Sequence, residues 1–126
     1  MTPPAEPRHV LVADDEPYIG RVVQLKLERG PYRVSLVPDG RAALEQLRGK
    51  EQIDVVLLDL MMPQLGGMEV LEEARQLPHR KDTPIIILTA KGQDADRERA
   101  FELGATDFMT KPFSPKRLLA RLDELF

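Results

Sequence analysis

The sequence predicts an α/β fold: a five-stranded parallel sheet with helices on both faces. Three observations carry this expectation. Five short runs rich in Val, Ile or Leu are each closed by turn residues. Stretches with apolar residues at helical spacing lie between them. The two kinds alternate, strand then helix, five times along the chain. Such alternation buries a parallel sheet between two helical layers.

The first strand is HVLVA (9–13), followed by DDEP. In 16–29, Ile19, Val22 and Val23 recur at helical spacing and Gly30 stops the helix. The second strand, YRVSLV (32–37), ends at PDG, where Asp39 suits a helix N-cap. Ala43, Leu44 and Leu47 then make a stripe over 39–48, ended by Gly49. The third strand, IDVVLL (53–58), runs into Asp59, a carboxylate placed where water and ligands reach a strand's mouth. Val70, Leu71, Ala74 and Leu77 line one face of a helix over 65–77. PIIIL (84–88) is the fourth strand, followed by TAKG. The helix over 93–103 has a poor stripe, with Ala95, Ala100, Phe101 and Leu103 among DRER charges and Gly104 as C-cap. TDFMT (106–110) is a weaker fifth strand, before KPF. Pro115 suits the first turn of the last helix, 115–126, whose face is Leu118, Leu119, Leu122, Leu125 and Phe126.

A length of 126 residues fits one domain, read here as 8–126 behind a flexible lead-in over 1–7. That lead-in has three prolines and no apolar core, so it is not a secretory signal. No apolar run approaches the ~18 residues of a membrane span, and the expected compartment is the cytoplasm. The net charge of −3 argues against direct nucleic-acid binding, which calls for a basic face. The absence of cysteine excludes disulfides, thiolate catalysis and Cys-based metal sites. His9 and His79 are far apart and read as surface or strand-edge residues.

In an open α/β sheet, ligands bind beyond the carboxyl ends of the strands. There the chain places Asp14, Asp15 and Glu16, then Asp59, Thr89 and Lys111. Clustered carboxylates repel unless a cation compensates. An all-oxygen set suits Mg²⁺, and a lysine adds a second positive charge. A metal, an ammonium and a hydroxyl around one carboxylate are what phosphoryl transfer requires, with Asp59 as nucleophile. Any one of these residues could simply end a strand or cap a helix, as Asp14 or Asp15 could. Four strand ends supplying such groups together weigh against that.

The segments VADDEP (12–17), VVLLDLMMPQLGGMEVL (55–71), PIIILTAK (84–91) and GATDFMTKPF (104–113) resemble the receiver domain of two-component response regulators. The resemblance covers about residues 8–126 and implies the flavodoxin-like, doubly wound (βα)5 fold of the chemotaxis response regulator. It implies that Asp59 accepts a phosphoryl group from a sensor histidine kinase or phosphotransfer protein. Asp15 would bind Mg²⁺ directly, Asp14 mainly through water, with Asp59 and the Met61 backbone carbonyl as further ligands. Lys111 would hold a phosphoryl oxygen, and the Lys111–Pro112 bond would be cis. Thr89 would move toward the phosphoryl group, and Phe108 would turn inward as the aromatic switch. Lys91 would face the same mouth. The output surface would be the fourth helix, fifth strand and fifth helix, acting on a downstream protein or fused effector.

The resemblance also implies a receiver that catalyses only its own phosphorylation and dephosphorylation. Gly66 stands where many members have an acidic residue before Gly67. Members with a winged-helix DNA-binding domain carry three opposite-charge pairs on the output face. Asp107 with Arg121 keeps one; Arg97 with Arg117 and Glu102 with Asp123 are like-charge pairs, which disfavour that symmetric dimer. Two other functions compete. An aspartate-nucleophile phosphatase would carry a second aspartate as general acid two residues on, where this chain has Met61. A non-phosphorylated pseudo-receiver scaffold would have lost part of the acidic pair, aspartate and lysine set, which is complete here.

Overall fold

All five expected strands pair in parallel into one sheet, in the order β2-β1-β3-β4-β5. The structure is a computed structural model that describes residues 7–90, 94–111 and 114–126. Residues 1–6 of the lead-in, Lys91 and Pro112 with its peptide bond therefore lie outside the described residues. The elements are β1 (Arg8–Ala13), α1 (Pro17–Leu27), β2 (Tyr32–Val37), α2 (Gly40–Arg48), β3 (Val55–Asp59), α3 (Gly67–Gln76), β4 (Ile85–Thr89), α4 (Asp94–Glu102), β5 (Asp107–Thr110) and α5 (Pro115–Leu125). A short 3-10 turn, Pro78–Arg80, follows α3 and was not expected.

Side chains alternate across a strand, and the sheet sorts its apolar residues by that period. Leu11, Val56, Leu58, Ile85 and Ile87 face a core completed by α2, α3 and α4 through Leu47, Val70, Leu71 and Ala100. Val10, Val12, Val55, Leu57, Ile86 and Leu88 face the other, completed by Val23 and Leu27 of α1 and Leu118 and Leu122 of α5. The continuous apolar runs predicted burial on both faces for every strand. β3 and β4 are buried throughout and β1 all but its first residue, whereas the edge strands β2 and β5 are only partly buried. A strand at an edge has one neighbour only, so its alternate side chains reach solvent.

The helix-end signals act as expected. Asp39 accepts from the Ala42 N–H at 2.8 Å, and Ser114 accepts from the Arg117 N–H ahead of Pro115. Gly104 has φ +103 and closes α4, where an L side chain would be strained. Two polar residues are placed differently. His9 is not at the surface: it is buried, with Nδ1 2.9 Å from the Gln52 carbonyl and Nε2 2.7 Å from Ser35 Oγ. Arg80, which no pattern in the sequence singles out, is also buried. It donates to the carbonyls of Leu47, Gly49 and Glu51, tying the end of α2 to the turn after α3.

Gly67 bears on the site directly. A Cβ there would run into the Asp59 carbonyl oxygen and lie 3.0 Å from Leu60 Cα, backbone that cannot swing aside. Gly67→Ala is expected to cost about 1–2 kcal/mol by overpacking. In thermal denaturation that is a fall in Tm of roughly 5–8 °C. An unchanged Tm would mean that the start of α3 can retreat from β3.

Candidate functional site

The carboxyl ends of β1, β3, β4 and β5 gather the polar residues that the sequence placed after each strand. Asp59 is the last residue of β3, not the residue beyond it, and is only 5% exposed. The expected open mouth is therefore a cleft, with the carboxylate at its floor. Its Oδ1 accepts from the Met61 N–H at 3.2 Å, which fixes the carboxylate plane. Its Oδ2 accepts from Lys111 Nζ at 3.1 Å.

Lys111 links the end of β5 to β3 and β1, neither of which is its neighbour in the sheet. From the end of β5 its ammonium reaches across β4 and donates to Asp14 Oδ2 at 2.8 Å as well as to Asp59. The Lys111 side chain is 5% exposed, so this is a buried triad of two carboxylates and one ammonium. Glu16 approaches the same nitrogen at 3.4 Å from a more exposed position. The Lys111 N–H donates to the Thr89 carbonyl at 2.7 Å, which holds the start of the lysine's loop against β4. Alternation explains the meeting: Asp59 continues the parity of Val55 and Leu57, the face on which Met109 of β5 also packs.

Burial raises the Asp59 pKa above the ordinary carboxylate value; the Lys111 hydrogen bond and charge pull it back only partly, and Asp14 pushes it further up. Burial alone would lower the Lys111 pKa, but Asp14 and then Asp59 outweigh it and leave the ammonium harder to deprotonate than usual. The acidic pair divides. Asp14 is buried against Lys111 and accepts from the Glu16 N–H at 2.8 Å. Asp15 is exposed at the rim. Neither caps α1, whose N-cap is Glu16, without a side-chain cap bond.

Asp14, Asp15, Glu16 and Asp59 each present a carboxylate oxygen, and these atoms lie within 4.8 Å of one another. An all-oxygen donor set at that spacing fits a hard divalent cation such as Mg²⁺. Glu16 is the member with no expected ligand role; its place directly after the acidic pair was the available signal. Asp15, Glu16, Asp59, Met61, Thr89 and Ala90 line a cleft of about 340 Å³. Thr89 is fully buried at its wall.

Phe108 is packed inward, 4% exposed, in the core with Val56, Ile85, Ile87 and Ala100. It underlies a groove of about 540 Å³ between α4, β5 and α5, lined also by Arg97, Arg117 and Arg121. Within that face Arg121 Nε donates to Asp107 Oδ2 at 2.7 Å, so this opposite-charge pair forms inside one chain. The proposed pairing of Glu102 with Asp123 does not fit the fold. Asp123 accepts from the Tyr32 hydroxyl at 2.7 Å, on the side of α5 turned toward β2, at the far edge of the sheet from β5.

The family model for the response regulator receiver domain matches residues 10–123. The chain is 47% identical over 113 residues to a probable transcriptional regulator, ycf27, of Galdieria sulphuraria, covering 90% of this chain and 43% of that protein. It thus spans under half the length of that relative. Among solved structures, chemotaxis protein CheY4 of Vibrio cholerae superposes with a TM-score of 0.87 at 33% identity, over 94% of this chain and 98% of the other. The receiver domain of sensor histidine kinase PA1611 from Pseudomonas aeruginosa, which has a magnesium ion coordinated in its active-site cleft, gives 0.85 at 31% identity, over 94% and 96%.

Proposed function

This chain belongs to the response regulator receiver domain family, and from that premise we propose that it is a phosphorylation-dependent signalling switch with Asp59 as phosphoacceptor. The observation that carries the reading is the buried bridge of Lys111 between Asp14 and Asp59, set beside an exposed Asp15 at the mouth of one cleft. A merely structural ion pair gains nothing from further carboxylates crowded around it.

One Asp59 carboxylate oxygen attacks phosphorus in line, while the bond from phosphorus to the donor's imidazole nitrogen breaks and the histidine leaves. The Met61 N–H fixes the nucleophile's orientation by holding the other oxygen. Lys111 already donates to Asp59, so its ammonium is placed to follow the developing charge onto a phosphoryl oxygen. The Thr89 hydroxyl is the second donor, across the cleft. Mg²⁺, when bound by Asp14, Asp15, Asp59 and the Met61 carbonyl, supplies charge neutralisation at the phosphoryl oxygens. The donor is a sensor histidine kinase or phosphotransfer protein in the cytoplasm, and the output is a changed α4-β5-α5 surface read by a downstream protein or a fused effector. Phe108 lacks a hydroxyl, so its inward position leaves no buried donor to satisfy.

Intact-mass spectrometry after incubation with acetyl phosphate and Mg²⁺ tests the reading. Wild type is expected to gain one alkali-labile phosphoryl group and Asp59→Asn none. A wild type that neither gains the adduct nor binds beryllofluoride would make the chain a non-phosphorylated scaffold. No helix among the described residues is long and apolar enough to cross a membrane.

A further inference from the structure

We propose that Arg75 pins the C-terminal end of α4, so that α4 can respond to the site only by pivoting from its N-terminal end. Arg75 stands in the last turn of α3, and its guanidinium makes five hydrogen bonds to four backbone carbonyls. Three of those carbonyls belong to the link between α3 and β4: Arg80 at 2.9 Å, Lys81 at 3.2 Å and Thr83 at 2.7 Å. The fourth is Gly104, held by both Nε at 3.0 Å and Nη2 at 2.8 Å. A planar fork held at every corner has one orientation, and its geometry is what lysine cannot copy.

The pinned end is rigid for further reasons. The Ala105 N–H donates to the Ala100 carbonyl at 2.9 Å and the Gly104 N–H to Phe101 at 3.1 Å, a Schellman closure. A Cβ on Gly104 would sit 3.0 Å from Arg75 Nε, so the glycine serves both the closure and the close approach. Thr106 then donates its N–H to the Ile85 carbonyl at 2.7 Å, and its Oγ1 accepts from the Ile85 N–H at 3.0 Å. Among the described residues, the rest of α4 has no comparable tie. Ala100 is its one buried residue among those described, and Phe101 stays 40% exposed with Arg97 over its ring. An element fixed at one end and poorly packed along its length opens from the free end.

This rests on the switch reading, since it states which part of the output surface moves. Amide hydrogen exchange of the resting protein, read residue by residue, tests it first. In wild type, protection is expected to rise along α4 toward Leu103, Gly104 and Ala105. Arg75→Lys, which keeps the charge and most of the volume, is expected to speed exchange at those three amides about tenfold or more. Amides of α1 and α2 should be unchanged. Beryllofluoride titration followed by NMR is the second readout. Shift changes in wild type should fade before Gly104, and in Arg75→Lys they should run through it. Faster exchange spread evenly over all elements, or a gradient unaltered by the substitution, overturns the proposal. If beryllofluoride shifts nothing in either protein, the switch reading fails, and the exchange gradient still decides the role of Arg75.

Discussion

Lys111→Met is expected to destabilise the metal-free protein by about 3–5 kcal/mol at neutral pH, the usual cost of removing one partner from a buried charge group. The methionine keeps the length of the side chain, so little cavity is left. What is lost is the ammonium between Asp14 and Asp59, three side chains that are nearly all buried. The folded-state pKa of Lys111 lies above its ordinary value. Its contribution is therefore fully present below the unfolded lysine pKa and is lost only as pH rises through the folded value. In the variant, the two carboxylates face each other without a cation, and Asp59, already raised by burial, loses the lysine that pulled it back. Raised carboxylate values mean that the folded state takes up protons as pH falls. The deficit should then shrink toward acid. Urea denaturation in a chelator at pH 7.5 and pH 5 measures both. An equal deficit at the two pH values would show that packing, not charge, is what Lys111 supplies.

The sheet and most of the site were legible because both are written in local runs. β1, β3 and β4 are apolar stretches, and each ends at a site residue or, for β1, just before one. Strand ends in a parallel sheet converge, so Asp14, Asp59, Thr89 and Lys111 could be brought together without a structure. What stayed hidden depends on contacts distant in sequence. Nothing near His9 announces that Ser35 and Gln52 will close over it. Arg75 and Arg80 look like surface helix charges until the carbonyls of three separate segments meet them. Arginine is suited to that task because its five donors match several acceptors at once, and no spacing rule encodes it. The reading of Glu102 and Asp123 failed for a related reason. Asp123 is engaged by the hydroxyl of Tyr32, a partner 91 residues away.

Asp59→Asn is expected to reverse the order of stability when Mg²⁺ is added. Without metal, the buried carboxylate is a cost: its folded pKa is raised, first by burial and then by Asp14. A carboxyl group with a raised folded pKa contributes stability that is fully present below its unfolded pKa and is lost as pH rises through the folded value. Toward neutral pH that contribution declines in wild type. Asparagine cannot ionise, and its oxygen can still accept from the Met61 N–H, so the variant should be the more stable of the two without metal. Lys111 keeps Asp14 as partner in either protein. With Mg²⁺ at about 100 times its dissociation constant, linkage adds about 2.7 kcal/mol to a protein that binds it only when folded. Wild type should gain that amount, and the variant, one anionic ligand short, much less. The two denaturation midpoints should therefore cross during a Mg²⁺ titration at pH 7.5. Parallel rises in both would place the cation on Asp14, Asp15 and Glu16, and remove Asp59 from the metal site.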